Sequence, residues 1–128
     1  AIPEKMTTRM ETGIEQRHFK VIKAGMQSVF EGAHGTAHRS KIPGITAGGK
    51  TGTAQNPHGD NHSIFIAFAP VEDPKIALSI IIENGGYGST WAAPIASLMM
   101  EKYIRGYSER PEVEKRMMDG VINYSKVK

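Results

Sequence analysis

Cysteine is absent from all 128 residues, which excludes disulfides and thiolate metal sites and leaves the redox compartment open, a periplasmic setting included. There is no apolar run of transmembrane length and no basic-then-apolar leader. A strong excess of one charge sign is missing too. Sixteen Lys and Arg stand against thirteen Asp and Glu, a net +3, and the two signs are interspersed. That is a solvated surface and not a nucleic-acid footprint, so no nucleic-acid partner is expected. No internal repeat is visible. What is present, 39% hydrophobic residues, suffices for one core and places the chain outside the disordered and fibrous classes.

The most informative run is Gly49-Lys50-Thr51-Gly52-Thr53-Ala54-Gln55. Successive side chains of a strand point to opposite faces, so Lys50 and Gly52 share one face while Thr51 and Thr53 share the other. Glycine lets a ligand come close to the backbone. A carboxylate lying along such a strand can accept from Thr51 and Thr53, feel the charge of Lys50, and meet the free N–H groups of an edge strand. The candidate substrate-binding residues are therefore Lys50, Thr51, Gly52 and Thr53.

A second motif overlaps the first. Gly44-Ile45-Thr46-Ala47-Gly48-Gly49-Lys50-Thr51 satisfies the phosphate-binding G-x-x-x-x-G-K-[ST] pattern, and 76–83 offers a strand ending in Glu83. A phosphate loop, however, needs a helix that opens at the Lys, whose first N–H groups hold the phosphates. Gly52-Thr53-Ala54-Gln55-Asn56-Pro57 cannot open one. Nucleotide binding at Gly44–Thr51 is thus the minor alternative.

Along the chain, Thr12-Gly13-Ile14-Glu15 has capping-box spacing, and apolar residues from Ile14 to Phe30 recur at helical intervals, predicting a helix over 12–31. A polar, Gly-rich loop over 32–43 follows, then a strand over 45–55. The segments 63–69 and 76–83 are apolar on both faces and are joined by a short connection, so they are expected to be antiparallel strands covered on two sides. A helix over 90–105 is expected to turn Trp91, Ile95, Leu98, Met99 and Tyr103 to the sheet, and a short charged helix over 111–119 ends the pattern. The fold class is α+β, an antiparallel three-stranded sheet with helices on both faces.

Lys-Thr-Gly is one of the three signatures of the serine acyl-transferases that include penicillin-binding proteins and β-lactamases. Its flanks point the same way: Gly35-Thr36-Ala37, Phe65-Ile66-Ala67-Phe68-Ala69-Pro70, Ile82-Glu83-Asn84-Gly85-Gly86 and Ala92-Ala93-Pro94-Ile95-Ala96. Together these runs resemble the C-terminal part of the transpeptidase domain of class B penicillin-binding proteins, most closely the penicillin-binding protein 2 group of the cell-elongation machinery. The resemblance covers nearly all of the chain up to Arg105 and implies a partial β-lactamase/transpeptidase-like fold.

It also implies a peptidoglycan D,D-transpeptidase as parent, which cross-links stem peptides ending in D-Ala-D-Ala through a serine acyl-enzyme and binds β-lactams. The matching positions would take these roles: Lys50 supplies positive potential and helps proton traffic, Thr51 and Thr53 hold the ligand carboxylate, and the Thr53 N–H is half of an oxyanion hole. Lys50 and Thr53 are thus the candidate catalytic residues. The partners implied are the upstream part of the same transpeptidase domain and the elongation machinery. The implied location is the periplasmic side of the inner membrane, with an anchor upstream of Ala1. The strand over 76–83 would pair with an upstream strand, and without it the piece is expected to self-associate.

The remaining readings are plain. The family needs a Ser-x-x-Lys pair and a Ser-x-Asn motif, and this sequence holds only Ser125-Lys126-Val127-Lys128, a chance match. His58, Asp60 and His62 invite a metal, yet no third His or Cys lies at a telling spacing, so a surface loop is expected and neither metal nor cofactor. A non-catalytic module that holds a peptide carboxylate on the same strand is the alternative from a different class.

Overall fold

The structure, a computed structural model, describes Thr8 and residues 10–122. Three helices, α1 (Gln16–Glu31), α2 (Ala92–Arg105) and α3 (Pro111–Asp119), accompany three strands, β1 (Gly48–Ala54), β2 (His62–Ala69) and β3 (Ile76–Ile82). The strands form one antiparallel sheet in the order β1-β2-β3, with Thr51 opposite Phe65 and Phe65 opposite Ile80. Short connections make sequential neighbours pair in space. This is the expected α+β class.

Strand alternation decides where the core sits. Ser63, Phe65, Ala67 and Ala69 of β2 are buried, and Ile76, Leu78, Ile80 and Ile82 of β3 pack beside them. Phe30, near the end of α1, meets Phe65 edge to face with ring centroids 5.5 Å apart. Such a pair contributes about 0.5–1.5 kcal/mol beyond its area. Gly49 is where this packing needs glycine, because a Cβ there would stand 2.7 Å from the Phe65 ring and 2.8 Å from the Ile66 carbonyl. The other face carries Ile66 and Ile81, which are 45% and 62% exposed. Cover on both faces, as the apolar pattern predicted, is therefore only partial among the described residues.

α2 lies over β2 and β3 on Ala92, Ala93, Pro94, Ala96, Ser97, Met100 and Glu101. Here the sequence reading needs correction, since Met99 and Tyr103 are exposed and Trp91, Ile95 and Leu98 only partly covered. Small side chains let the helix backbone approach the sheet closely, so an alanine stripe together with Met100 turns inward in place of Met99 and Tyr103. α1 begins four residues later than the capping box indicated. Thr12 Oγ1 accepts from the Ile14 N–H at 3.3 Å, and Glu15 is the N-cap without a side-chain cap bond. A local turn has taken the hydroxyl that a cap would have used.

A buried ion cluster joins distant parts of the chain. The Glu101 carboxylate, 0% exposed, accepts from Arg110 Nε and Nη2 at 3.0 and 2.9 Å, from Ser108 Oγ at 3.0 Å and from Arg105 Nη1 at 3.1 Å. Arg110 also donates to the carbonyls of Ser40 and Lys41 and to Ser97 Oγ. It thereby ties the start of α3 and the inner face of α2 to the 3-10 turn His38–Ser40 that precedes β1.

Candidate functional site

The site is built on β1, and its geometry follows from the ladder. Antiparallel pairs alternate between residues that exchange backbone hydrogen bonds and residues whose groups point away. The Ile66 carbonyl faces β1 beside Gly49, so Lys50 opposite Ile66 and Gly52 opposite Ile64 are the exchanging pairs. The N–H and C=O groups of Thr51 and Thr53 consequently point to the outer edge of the sheet. Lys50 Nζ donates to the Thr51 carbonyl at 2.7 Å, which brings the ammonium round from its own face to that edge. The edge thus joins what strand alternation separates.

Thr51 is held from behind. Its Oγ1 lies 3.1 Å from Thr36 Oγ1, and the loop bearing Thr36 is fixed by the Ala37 N–H on the Val29 carbonyl and the Gly35 N–H on the Gly32 carbonyl. Gly35 permits this path, because a Cβ would stand 2.4 Å from the Val29 carbonyl. Thr53 is exposed and its hydroxyl makes no hydrogen bond among the described residues. On the inner side of β1 the 85–91 loop lies against Gly52, where a Cβ on Gly88 would meet the Gly52 carbonyl at 2.8 Å and the Ile64 carbonyl at 2.4 Å. A cleft of about 580 Å³ lined by Thr36, Arg39, Ser89, Trp91, Arg116 and Met117 opens behind Thr36. Lys50 and Thr53 take no part in its lining.

The four sequence candidates Lys50, Thr51, Gly52 and Thr53 therefore stand on one edge strand, unpaired on its outer side among the described residues and equipped with one cation, two hydroxyls and two outward amides. Such an edge can hold a carboxylate and place an N–H against an oxygen that gains negative charge. Sequence reasoning missed Thr36 as the support of Thr51 and Gly88 as the neighbour of Gly52. Gly35-Thr36-Ala37 was visible as a run, but no local pattern says which strand it touches.

The competing readings meet their geometry here too. Lys50 sits inside a strand and no helix opens at it, so the anion-holding helix terminus of a phosphate loop is missing. His62 Nδ1 accepts from the Asn84 N–H at 3.1 Å, and among the described residues no group of three or more His, Cys, Asp or Glu side chains could hold a metal ion. His18, His34 and His38 are exposed. Ser125 and Lys128 lie outside the described residues. Among the described residues no helix is long and apolar enough to cross a membrane.

Comparison with known proteins gives four findings. The family profile of the penicillin binding protein transpeptidase domain matches residues 4–101. Peptidoglycan D,D-transpeptidase MrdA of Haemophilus influenzae is 34% identical over an alignment 113 positions long that covers 76% of this chain and 17% of that protein. Among solved structures, the penicillin-binding protein 2 and MreC complex from Helicobacter pylori aligns with TM-score 0.66 and 30% identity over 83% of this chain and 21% of that one. The imipenem acyl-enzyme of penicillin-binding protein A from Mycobacterium tuberculosis aligns with TM-score 0.65 and 28% identity over 77% of this chain and 22% of that one. The chain spans about a fifth of the length of these relatives.

Proposed function

Since the chain belongs to the penicillin-binding protein transpeptidase family, we propose that β1 is the carboxylate-binding and oxyanion strand of a peptidoglycan D,D-transpeptidase of the penicillin-binding protein 2 group. The observation that carries this reading is the meeting of Lys50, Thr51 and Thr53 on the outer edge of β1, with the Lys50 ammonium 2.7 Å from the Thr51 carbonyl. In the intact enzyme a serine from outside this sequence attacks the penultimate D-alanine carbonyl of a stem peptide. The terminal D-alanine leaves with a proton, and an amine then takes the acyl group. Thr51 and Thr53 hold the terminal carboxylate, the Thr53 N–H faces the developing oxyanion, and Lys50 supplies positive potential. A β-lactam carboxylate and carbonyl take the same places.

The partners proposed for the whole protein are its remaining transpeptidase domain and the elongation machinery, at the periplasmic side of the inner membrane. The Helicobacter pylori relative is solved with MreC, and co-purification of the full-length protein with an MreC-type partner tests that proposal. Labelling of intact cells by a penicillin that cannot cross the inner membrane tests the location.

The site assignment is tested in the full-length protein. Lys50→Ala is expected to slow acylation by a fluorescent penicillin roughly tenfold to a hundredfold, because a charge near the reacting centre acts on the transition state. Thr53→Ala removes one hydroxyl and keeps its backbone N–H, so it should chiefly weaken binding of carboxylate-bearing ligands. A hydrogen bond to a charged group is worth about 1.5–3 kcal/mol, or roughly tenfold to a hundredfold in affinity. Unchanged acylation in both variants overturns the assignment.

A further inference from the structure

We infer that Gly88 is a positioning residue for the β1 edge: only a residue without a side chain lets the 85–91 loop lie on the backbones of Gly52 and Ile64, and that contact sets where the Thr53 amide stands. The inference rests on the transpeptidase reading for its consequence in catalysis and on geometry alone for the contact itself. A Cβ on Gly88 would lie 2.4 Å from the Ile64 carbonyl oxygen, 2.8 Å from that of Gly52 and 3.2 Å from the Gly52 nitrogen. All three are backbone atoms, which cannot rotate aside as a side-chain end can. Gly88 has no positive φ, so close approach is the whole reason for glycine here.

Where the strain of a side chain would go is decided by how each partner is held. The loop is tied on both flanks: the Gly86 N–H donates to the Asn61 carbonyl at 2.7 Å, the Gly88 carbonyl accepts from the Ala93 N–H at 2.9 Å, and the Tyr87 carbonyl accepts from Ser63 Oγ at 2.9 Å. Ser63 Oγ also accepts from the Ala92 N–H at 3.3 Å, locking the loop to the first turn of α2. Ile64 is in the central strand, paired on both sides. β1 is an edge strand, paired among the described residues with β2 alone and held besides by the Thr36–Thr51 hydroxyl bond, one residue before Gly52. It is therefore the part that yields, and displacing Gly52 carries the next residue, Thr53, with it.

A displacement of this kind acts on the transition state more than on ground-state binding. An oxyanion donor is effective only where the oxygen will be, whereas a carboxylate held by two hydroxyls tolerates small shifts. Misplacement by about 1 Å costs on the order of a hundredfold in rate.

The test is Gly88→Ala in the full-length protein, with acylation by a fluorescent penicillin resolved into a binding constant and a first-order acylation constant. The acylation constant is expected to fall on the order of a hundredfold with little change in binding, and thermal stability is read alongside. Gly25→Ala, where a Cβ meets nothing within 4 Å, should match the parent. An unchanged acylation constant in Gly88→Ala overturns the inference. Absence of acylation in the parent protein itself instead overturns the transpeptidase reading.

A second variant keeps the contact testable if Gly88→Ala does not fold. Ser63→Ala keeps every glycine and removes the anchor of the loop. In that variant hydrogen exchange at the Gly52 amide should accelerate more than at Ile80 in the far ladder. Equal acceleration at the two amides, or none, overturns the inference.

Discussion

Incubated with a fluorescent penicillin and run on a denaturing gel, the 128-residue chain is expected to stay unlabelled, whereas the full-length protein takes up the label. Opening a β-lactam needs an activated hydroxyl within bonding reach of its carbonyl. Lys50 is turned onto the Thr51 carbonyl, and among the described residues no serine shares a hydrogen bond with it. Ser63 Oγ serves the 85–91 loop, Ser97 Oγ donates to the Pro94 carbonyl inside α2, and Ser108 Oγ is spent on Glu101. None of these hydroxyls has a base that could take its proton toward the β1 edge. What is left is reversible carboxylate binding at an exposed strand, where charge pairing is worth about 0–1 kcal/mol. A band that survives boiling and maps to any serine of this chain would show the argument to be wrong.

Arg110→Ala is expected to lower stability by about 3–5 kcal/mol, the usual result of stranding one member of a buried ion pair. For a domain whose total stability is about 5–15 kcal/mol, such a loss brings it near unfolding. The pH dependence identifies the cause. Burial pushes the Glu101 carboxyl up, but the Arg110 bonds, the Glu109 N–H and the Ser108 hydroxyl together outweigh burial and hold it below its ordinary value of 4.5. A folded value below the unfolded one means that Glu101 contributes stability above the unfolded value and loses it as pH falls through the folded one.

Without Arg110 the strongest of the effects that lower it is lost and the folded value rises toward the unfolded one, while Arg105, Ser108 and the Glu109 N–H still serve the carboxylate. The deficit of Arg110→Ala should be largest at neutral pH and should shrink in acid, once Glu101 is protonated. Pairing Arg110→Ala with Glu101→Gln should recover part of the loss at neutral pH, because the stranded charge is gone. Urea denaturation at neutral and acid pH measures all of this. A neutral-pH midpoint equal to that of the parent in Arg110→Ala would sink the assignment.

How far the sequence could be read depended on whether the deciding interaction was local. The β1 edge was legible because strand alternation and the Lys-Thr-Gly spacing lie within one short segment, and its place beside 63–69 followed from a short turn. Thr12 and Glu15 misled because their spacing suits a capping box, while the hydroxyl of Thr12 had a nearer donor in Ile14. The inward face of α2 misled for a different reason. Hydropathy favours Tyr103 and Met99, but the sheet selects for closeness, which alanine supplies. Glu101 and Arg110 looked like surface charges, and Arg110 reaches the Ser40 carbonyl across 70 positions of sequence. The contact of Gly88 with Gly52 was illegible likewise, since a glycine before a helix reads as a turn whatever it touches.

The alanine stripe of α2 has a consequence for how this segment tolerates change. Two of its large residues are replaceable: Met99 and Tyr103 face solvent and should accept polar side chains with small effect. Its small residues are the constrained ones, because Ala92, Ala93 and Ala96 are fully covered and an added methylene there has to wedge the helix away from β2 or force a strained rotamer. A substitution scan across α2 would therefore depart from its hydropathy profile, with Met99 and Tyr103 permissive and the alanines forbidding, while Met100 is constrained as its hydropathy suggests.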